Sequence, residues 1–140
     1  RRTLRLVLWT NEENGLRGAT AYAEKHAQDK HFLAIESDEG VFKPQGFSYG
    51  GRPELLPVIR AIASLLAPIG AEKIRPGGGG ADIGPLMQKG VPGMSLQVDG
   101  SRYFWYHHTH ADTMDKLDAA DINRCAAALA VMAYIAADLP

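Results

Sequence analysis

The stretch TLRLVLWTNEENGLRGATAYAEKHAQDKHFLAIE (residues 3–36) reads as a strand, a helix and a second strand. In Thr3–Thr10, leucines alternate with other residues in a run rich in Leu, Val and Trp, the pattern of a strand. Asn11-Glu12-Glu13-Asn14-Gly15 breaks that run. From Leu16 to Gln28, alanines, Leu16 and Tyr22 recur at helical spacing among charges, which predicts a helix. FLAIE (Phe32–Glu36) is the second strand, ended by Ser37-Asp38-Glu39-Gly40.

The same alternation continues outward. Val41–Gly51 contains Pro44, Gly46 and the pair Gly50-Gly51, so it reads as loop with room for one short strand. Pro53 opens a helix whose apolar positions run through Leu55, Ile59, Ile62, Ala63 and Leu66, stopped by Pro68 and Gly70. Gly77–Gly80 is a run of glycines, read as a mobile loop bordering a site; no Gly-Lys-Ser/Thr follows it, so it is not a phosphate loop. Asp82 is placed as the N-cap of a short helix to about Lys89, with Gly90 as terminator. Met94–Val98 is the third strand, and a long helix fills Ala119–Ala137. Strands alternating with helices predict an α/β fold, a three-layer αβα sandwich with a largely parallel central sheet. All strand C-termini are then expected on one edge of that sheet.

Composition bounds the function. A length of 140 residues suits one core and one domain. The net charge of -1, with no Lys/Arg run longer than Arg1-Arg2, removes the electrostatic footprint of a nucleic-acid or anionic-membrane binder. No uninterrupted apolar stretch approaches the ~18 residues of a membrane span. The single cysteine, Cys125, excludes an internal disulfide and a cysteine-based zinc cluster, and reads as a buried thiol.

In open α/β sheets, sites form beyond the carboxyl ends of strands. Glu12-Glu13 follows the first strand, Asp38 the second, and His107-His108-Thr109-His110-Ala111-Asp112 the third. Carboxylates and imidazoles meeting there suit zinc with oxygen and nitrogen ligands. Of two adjacent glutamates, one can bind metal while the other faces an activated water as general base. Each piece also has a plainer reading. The acid pair suits the first turn of a helix, Asp38 a turn before Gly40, and the histidines a loop packed beside Trp105 and Tyr106. His26 and His31 read as surface residues.

Taken in order, LWTNEENGLRGA (residues 8–19), ESDEG (36–40), GGGGADIGPLMQKGVPGMSL (77–96) and HHTHADT (107–113) resemble a known family. It is the zinc-dependent exopeptidases that include co-catalytic aminopeptidases and the carboxypeptidase Q (plasma glutamate carboxypeptidase-like) group. The resemblance covers essentially the whole chain and implies a metallo-exopeptidase acting on peptides or dipeptides. It implies Glu12 as general base, Glu13 as ligand of a first zinc and Asp38 as ligand of a second. His108 would be the imidazole ligand of the first, since it alone stands in the register His-Thr-x-x-Asp-Thr with Asp112-Thr113. Asp82 would shape the substrate pocket, Asp112 would fix the loop, and His107 and His110 would be free to touch substrate. The family also uses an upstream His and an aspartate bridging two zinc ions, and neither can be placed here. The resemblance therefore implies a C-terminal fragment of a catalytic domain, with an incomplete two-zinc site, an incomplete sheet and little activity alone. Self-association through open sheet edges is expected, and the resemblance implies a secreted or periplasmic protein. Two further readings share these features: a glutaminyl cyclase-like enzyme working with one zinc, and a receptor-like relative without catalysis.

Overall fold

Three amphipathic segments form the long helices: α1 (Arg17–Lys25), α2 (Leu56–Ser64) and α5 (Ala119–Asp138). Two single-turn helices, α3 (Gly84–Met87) and α4 (Tyr103–Tyr106), lie between them and near the site. The computed structural model describes residues 1–140. Helix α2 enters through a 3-10 turn at Pro53–Leu55, where proline's fixed φ suits a helix start. It leaves through a second turn at Ala67–Ile69, closed by Gly70 in the left-handed region. Asp118 caps α5 by accepting from Ala120 and Asp121 backbone N–H groups. Cys125, Ala128, Met132 and Ala136 then form its buried stripe. Although α5 is long and apolar enough to cross a bilayer, that stripe packs into the main core against the sheet. The Cys125 thiol is buried there, donates to Phe42 C=O at 3.1 Å and is pushed up to about 11 by desolvation.

The sheet has four strands, β1 (Ala34–Glu36), β2 (Pro44–Gly50), β3 (Lys73–Pro76) and β4 (Gly93–Val98), in the order β1-β4-β2-β3. β1 pairs parallel with β4 and β2 parallel with β3, as the largely parallel expectation requires. The central pair β2–β4 is antiparallel. The reason is the short link Ser37–Lys43: a parallel return needs a crossover of about a dozen residues or more, so β2 runs back the other way. The strand ends therefore divide between two edges, with those of β1 and β4 together. One face of the sheet carries Phe47, Tyr49, Met94, Leu96 and Val98 against α2 and α5. The other carries Ala34 beneath α1 and α3, with Ile83 and Leu86. The αβα layering holds.

Residues Thr3–Thr10 form no strand. A strand needs a ladder partner, and the backbone from Thr3 to Trp9 makes no backbone hydrogen bond. The alternation survives in the side chains. Leu4, Leu6 and Leu8 are 56%, 90% and 82% exposed, while Arg5 bonds Tyr22 and Asp29, and Trp9 meets the Tyr22 ring edge-on at 5.3 Å. The segment is thus held along α1 by its odd-numbered side. β2 is the short strand allowed within Val41–Gly51, formed despite a proline and two glycines, while β3 was hidden by its composition, two charges and a proline in four residues.

Candidate metal and catalytic site

The acid pair sits on a turn built from unusual backbone. Asn11 (φ 63°), Gly15 (φ 98°) and Leu16 (φ 55°) are left-handed, and Glu12 C=O accepts from both Gly15 and Leu16 N–H. Gly18 lets α1 begin flush against this turn: its N–H donates to Thr10 C=O at 3.1 Å, and a Cβ there would stand 2.6 Å from that oxygen. Glu12 is half-buried and Glu13 exposed. Glu13 Oε1 lies 2.7 Å from His108 Nε2, across 95 residues of sequence, with the imidazole N–H donating to the carboxylate. His108 is itself left-handed, at φ 58°.

The other candidates surround this pair without closing on it. Asp38 is exposed just beyond β1. Asp82 is 6% exposed, and its carboxyl is pushed up to about 6 by desolvation, then by the charges of Glu36, Glu12 and Asp38. Tyr103 is raised as well, first by burial and then by Asp38, Glu39, Glu13 and Asp112. These acids therefore cluster in one region, which suits a divalent cation. Imidazole nitrogen and carboxylate oxygen are zinc donors, and Glu13 with His108 offers one of each. No group of three His, Cys, Asp or Glu side chains converges to hold a metal. The pair fits zinc as two of its donors, and Asp38 stands apart from it.

Three expectations change. Asp82 does not cap α3, whose first residue is Gly84 and whose N-terminus takes no side-chain cap; one of its own carboxylate oxygens, Oδ1, is buried without a partner. Asp112 makes no side-chain hydrogen bond. The loop is tied instead by Thr109, whose hydroxyl donates to Tyr106 C=O at 2.8 Å and accepts from Ala111 N–H at 3.1 Å. The glycine run is packed rather than open. A Cβ on Gly78 would stand 2.3 Å from Gly50 N, and one on Gly80 2.1 Å from Glu36 Oε1. His107 is half-buried and stacked on His108, while His110 is exposed without a polar partner.

Glu36 is the residue that sequence reasoning passed over, because a glutamate closing a strand ordinarily faces solvent. It is 4% exposed, and its Oε2 accepts from Ile83 N–H at 2.9 Å. Its register partner is Ser95, and that of Ser95 is Ser48, both buried. This polar row of short side chains, with Glu36 at its end, lies on the face where the glycine run packs. Glu36 thereby ties the residue after Asp82 to the sheet.

Asp82 should be visible in the pH dependence of stability. A carboxyl raised on folding makes the folded state bind more protons than the unfolded one between its unfolded value near 3.8 and about 6. Stability contributed by this group falls as pH rises through that window, by on the order of 3 kcal/mol. Urea unfolding of the wild type minus that of Asp82→Asn, from pH 3.5 to 7, is expected to show that slope. A difference independent of pH would contradict it.

Resemblance to known proteins runs along nearly the whole chain. The sequence model of peptidase family M28 matches residues 1–133. Carboxypeptidase Q of Mus musculus is 43% identical over 99% of this chain, that of Xenopus laevis 44% and that of Homo sapiens 41%. The chain spans 30% of the length of each of these relatives. A crystal structure of a peptidase M28 precursor from Shewanella amazonensis superposes with a TM-score of 0.87 at 35% identity, covering 94% of this chain and 30% of that one.

Proposed function

The chain belongs to peptidase family M28, and on that premise we propose that it carries the water-activating side of a zinc-dependent exopeptidase site. The observation that carries this reading is the contact of Glu13 with His108, made next to Glu12 and reached across 95 residues of sequence. Glu13 and His108 would hold one zinc and Asp38 would serve a second. When bound, zinc supplies a Lewis acid that polarises a scissile carbonyl and acidifies water. Glu12, held on its left-handed turn, takes the proton of the attacking water and passes it to the departing amine. Asp82, among the charges of Glu36, Glu12 and Asp38, would shape the substrate pocket. The relatives' name, Carboxypeptidase Q, favours release of a carboxy-terminal residue from short peptides or dipeptides.

With two donors in contact and no third closing on them, the 140-residue chain alone is proposed to bind zinc weakly and to hydrolyse little. Its exposed Leu4, Leu6 and Leu8, beside a backbone without ladder partners, support self-association. The test, on a longer protein in which this chain lies within a complete zinc site, is hydrolysis of dipeptides with free, N-acetylated or C-amidated ends, before and after chelation. The expected outcome is cleavage abolished by chelator, restored by zinc and sensitive to blocking the carboxy terminus. Cleavage indifferent to chelation would overturn the zinc reading, and indifference to C-amidation would overturn the carboxypeptidase direction.

A further inference from the structure

The paired histidines His107-His108 do unequal things. The His107 ring lies between two others: 4.5 Å from Tyr103 with an interplanar angle of 24°, and 3.8 Å from His108 at 23°. Phe104 closes the edge of the stack, 5.9 Å away at 86°. Tyr103 opens α4 and His107 follows its end, four residues on, a spacing at which side chains meet, and His107 N–H donates to Tyr103 C=O at 3.0 Å. Adjacent residues do not face each other on a helix. Here they do, because the chain leaves the helix at His107 (φ -50°, ψ 123°) and His108 turns left-handed at φ 58°. A non-glycine residue there costs about 1 kcal/mol or more and persists when its surroundings fix it. The His108 side chain is 61% exposed, stacks on the His107 ring and reaches Glu13.

We propose that His107 is a positioning residue, whose ring, braced on Tyr103, sets the plane in which His108 presents Nε2 to Glu13. The proposal rests on the reading of His108 as the metal-binding imidazole, and it gives the neighbouring histidine a task that needs an aromatic face and no nitrogen. An aromatic ring without nitrogen therefore replaces it, and an aliphatic side chain does not.

The experiment is NMR of the metal-free 140-residue chain with labelled histidine, in wild type, His107→Phe and His107→Ala. His108 ring protons are expected upfield of their free-imidazole positions, with cross-peaks to residue 107, in wild type and His107→Phe. In His107→Ala they move to free-imidazole positions. His108 signals unmoved by His107→Ala, or lost equally in His107→Phe, overturn the proposal. Zinc titration of the same three proteins adds a second readout. His107→Phe is expected to match wild type, and His107→Ala to bind about tenfold more weakly. Loss of zinc affinity in His107→Phe equal to that in His107→Ala makes His107 a ligand and overturns the proposal. If wild type takes up no zinc while the ring signals behave as expected, the stack stands and the reading of His108 as ligand fails.

Discussion

Glu12→Gln is expected to lower peptide hydrolysis by about 10²- to 10⁴-fold, the range for loss of a positioned general base. Glutamine keeps the size and hydrogen-bonding reach of glutamate but cannot take a proton from water. The fold should be indifferent, because the turn is held by Glu12 C=O, and the Glu12 side chain makes no hydrogen bond of its own. Zinc content should be unchanged as well, since Glu13 and His108 are the donors in contact. Because the chain alone is expected to hydrolyse little, the assay needs a longer protein in which it lies within a complete, zinc-loaded site, with initial rates on a free-ended dipeptide. A rate within about threefold of wild type would remove Glu12 from the chemistry, since a base contributes far more than that. A fall in rate matched by a fall in bound zinc would move Glu12 from base to ligand.

Gly78→Ala is expected to destabilise the chain by about 3 kcal/mol or more, the upper end for forcing an atom into a packed interior. The added Cβ would stand 2.3 Å from Gly50 N and 2.7 Å from Gly93 C=O, which are backbone of β2 and β4 and cannot rotate away. Gly84→Ala is the control, because nothing lies within 4 Å of a Cβ there. Urea denaturation followed by circular dichroism makes the comparison. Equal stability of the two variants would mean that the glycine run does not pack on the sheet. Asp82 follows this run, so a displaced run should also disturb the carboxyl held beside Glu12 and Asp38.

What the sequence disclosed depended on whether a residue's role was periodic or pairwise. Helices α1, α2 and α5 and strands β1 and β4 announce themselves through spacing, because each buries a stripe or face of its own. Thr3–Thr10 has the same periodicity and forms no strand, since alternation describes a side-chain pattern and a ladder needs a partner. The direction of β2 is set by the shortness of Ser37–Lys43, which hydrophobic patterning does not report. At the site, position was legible and contact was not. Glu13 and Asp38 fall after expected strands, but the 2.7 Å approach of Glu13 to His108 depends on left-handed backbone at Asn11, Leu16 and His108. The glycine run looks mobile when only the freedom of its backbone is weighed. Its reason lies in what it rests on: Glu36 and the backbone of β2 and β4. Glu36 itself was masked because a glutamate at a strand end ordinarily faces solvent, whereas this one has Ile83 N–H to accept from.

The central claim is that Glu13 and His108 together receive zinc, and zinc bound per chain measures it most directly. Equilibrium dialysis with elemental analysis should be run on the wild type, Glu13→Ala and His108→Ala, each shown to be folded by circular dichroism. The account predicts weak, saturable binding by the wild type that either substitution abolishes. Zinc uptake undiminished by both substitutions, or none by the wild type at any concentration reached, would contradict it.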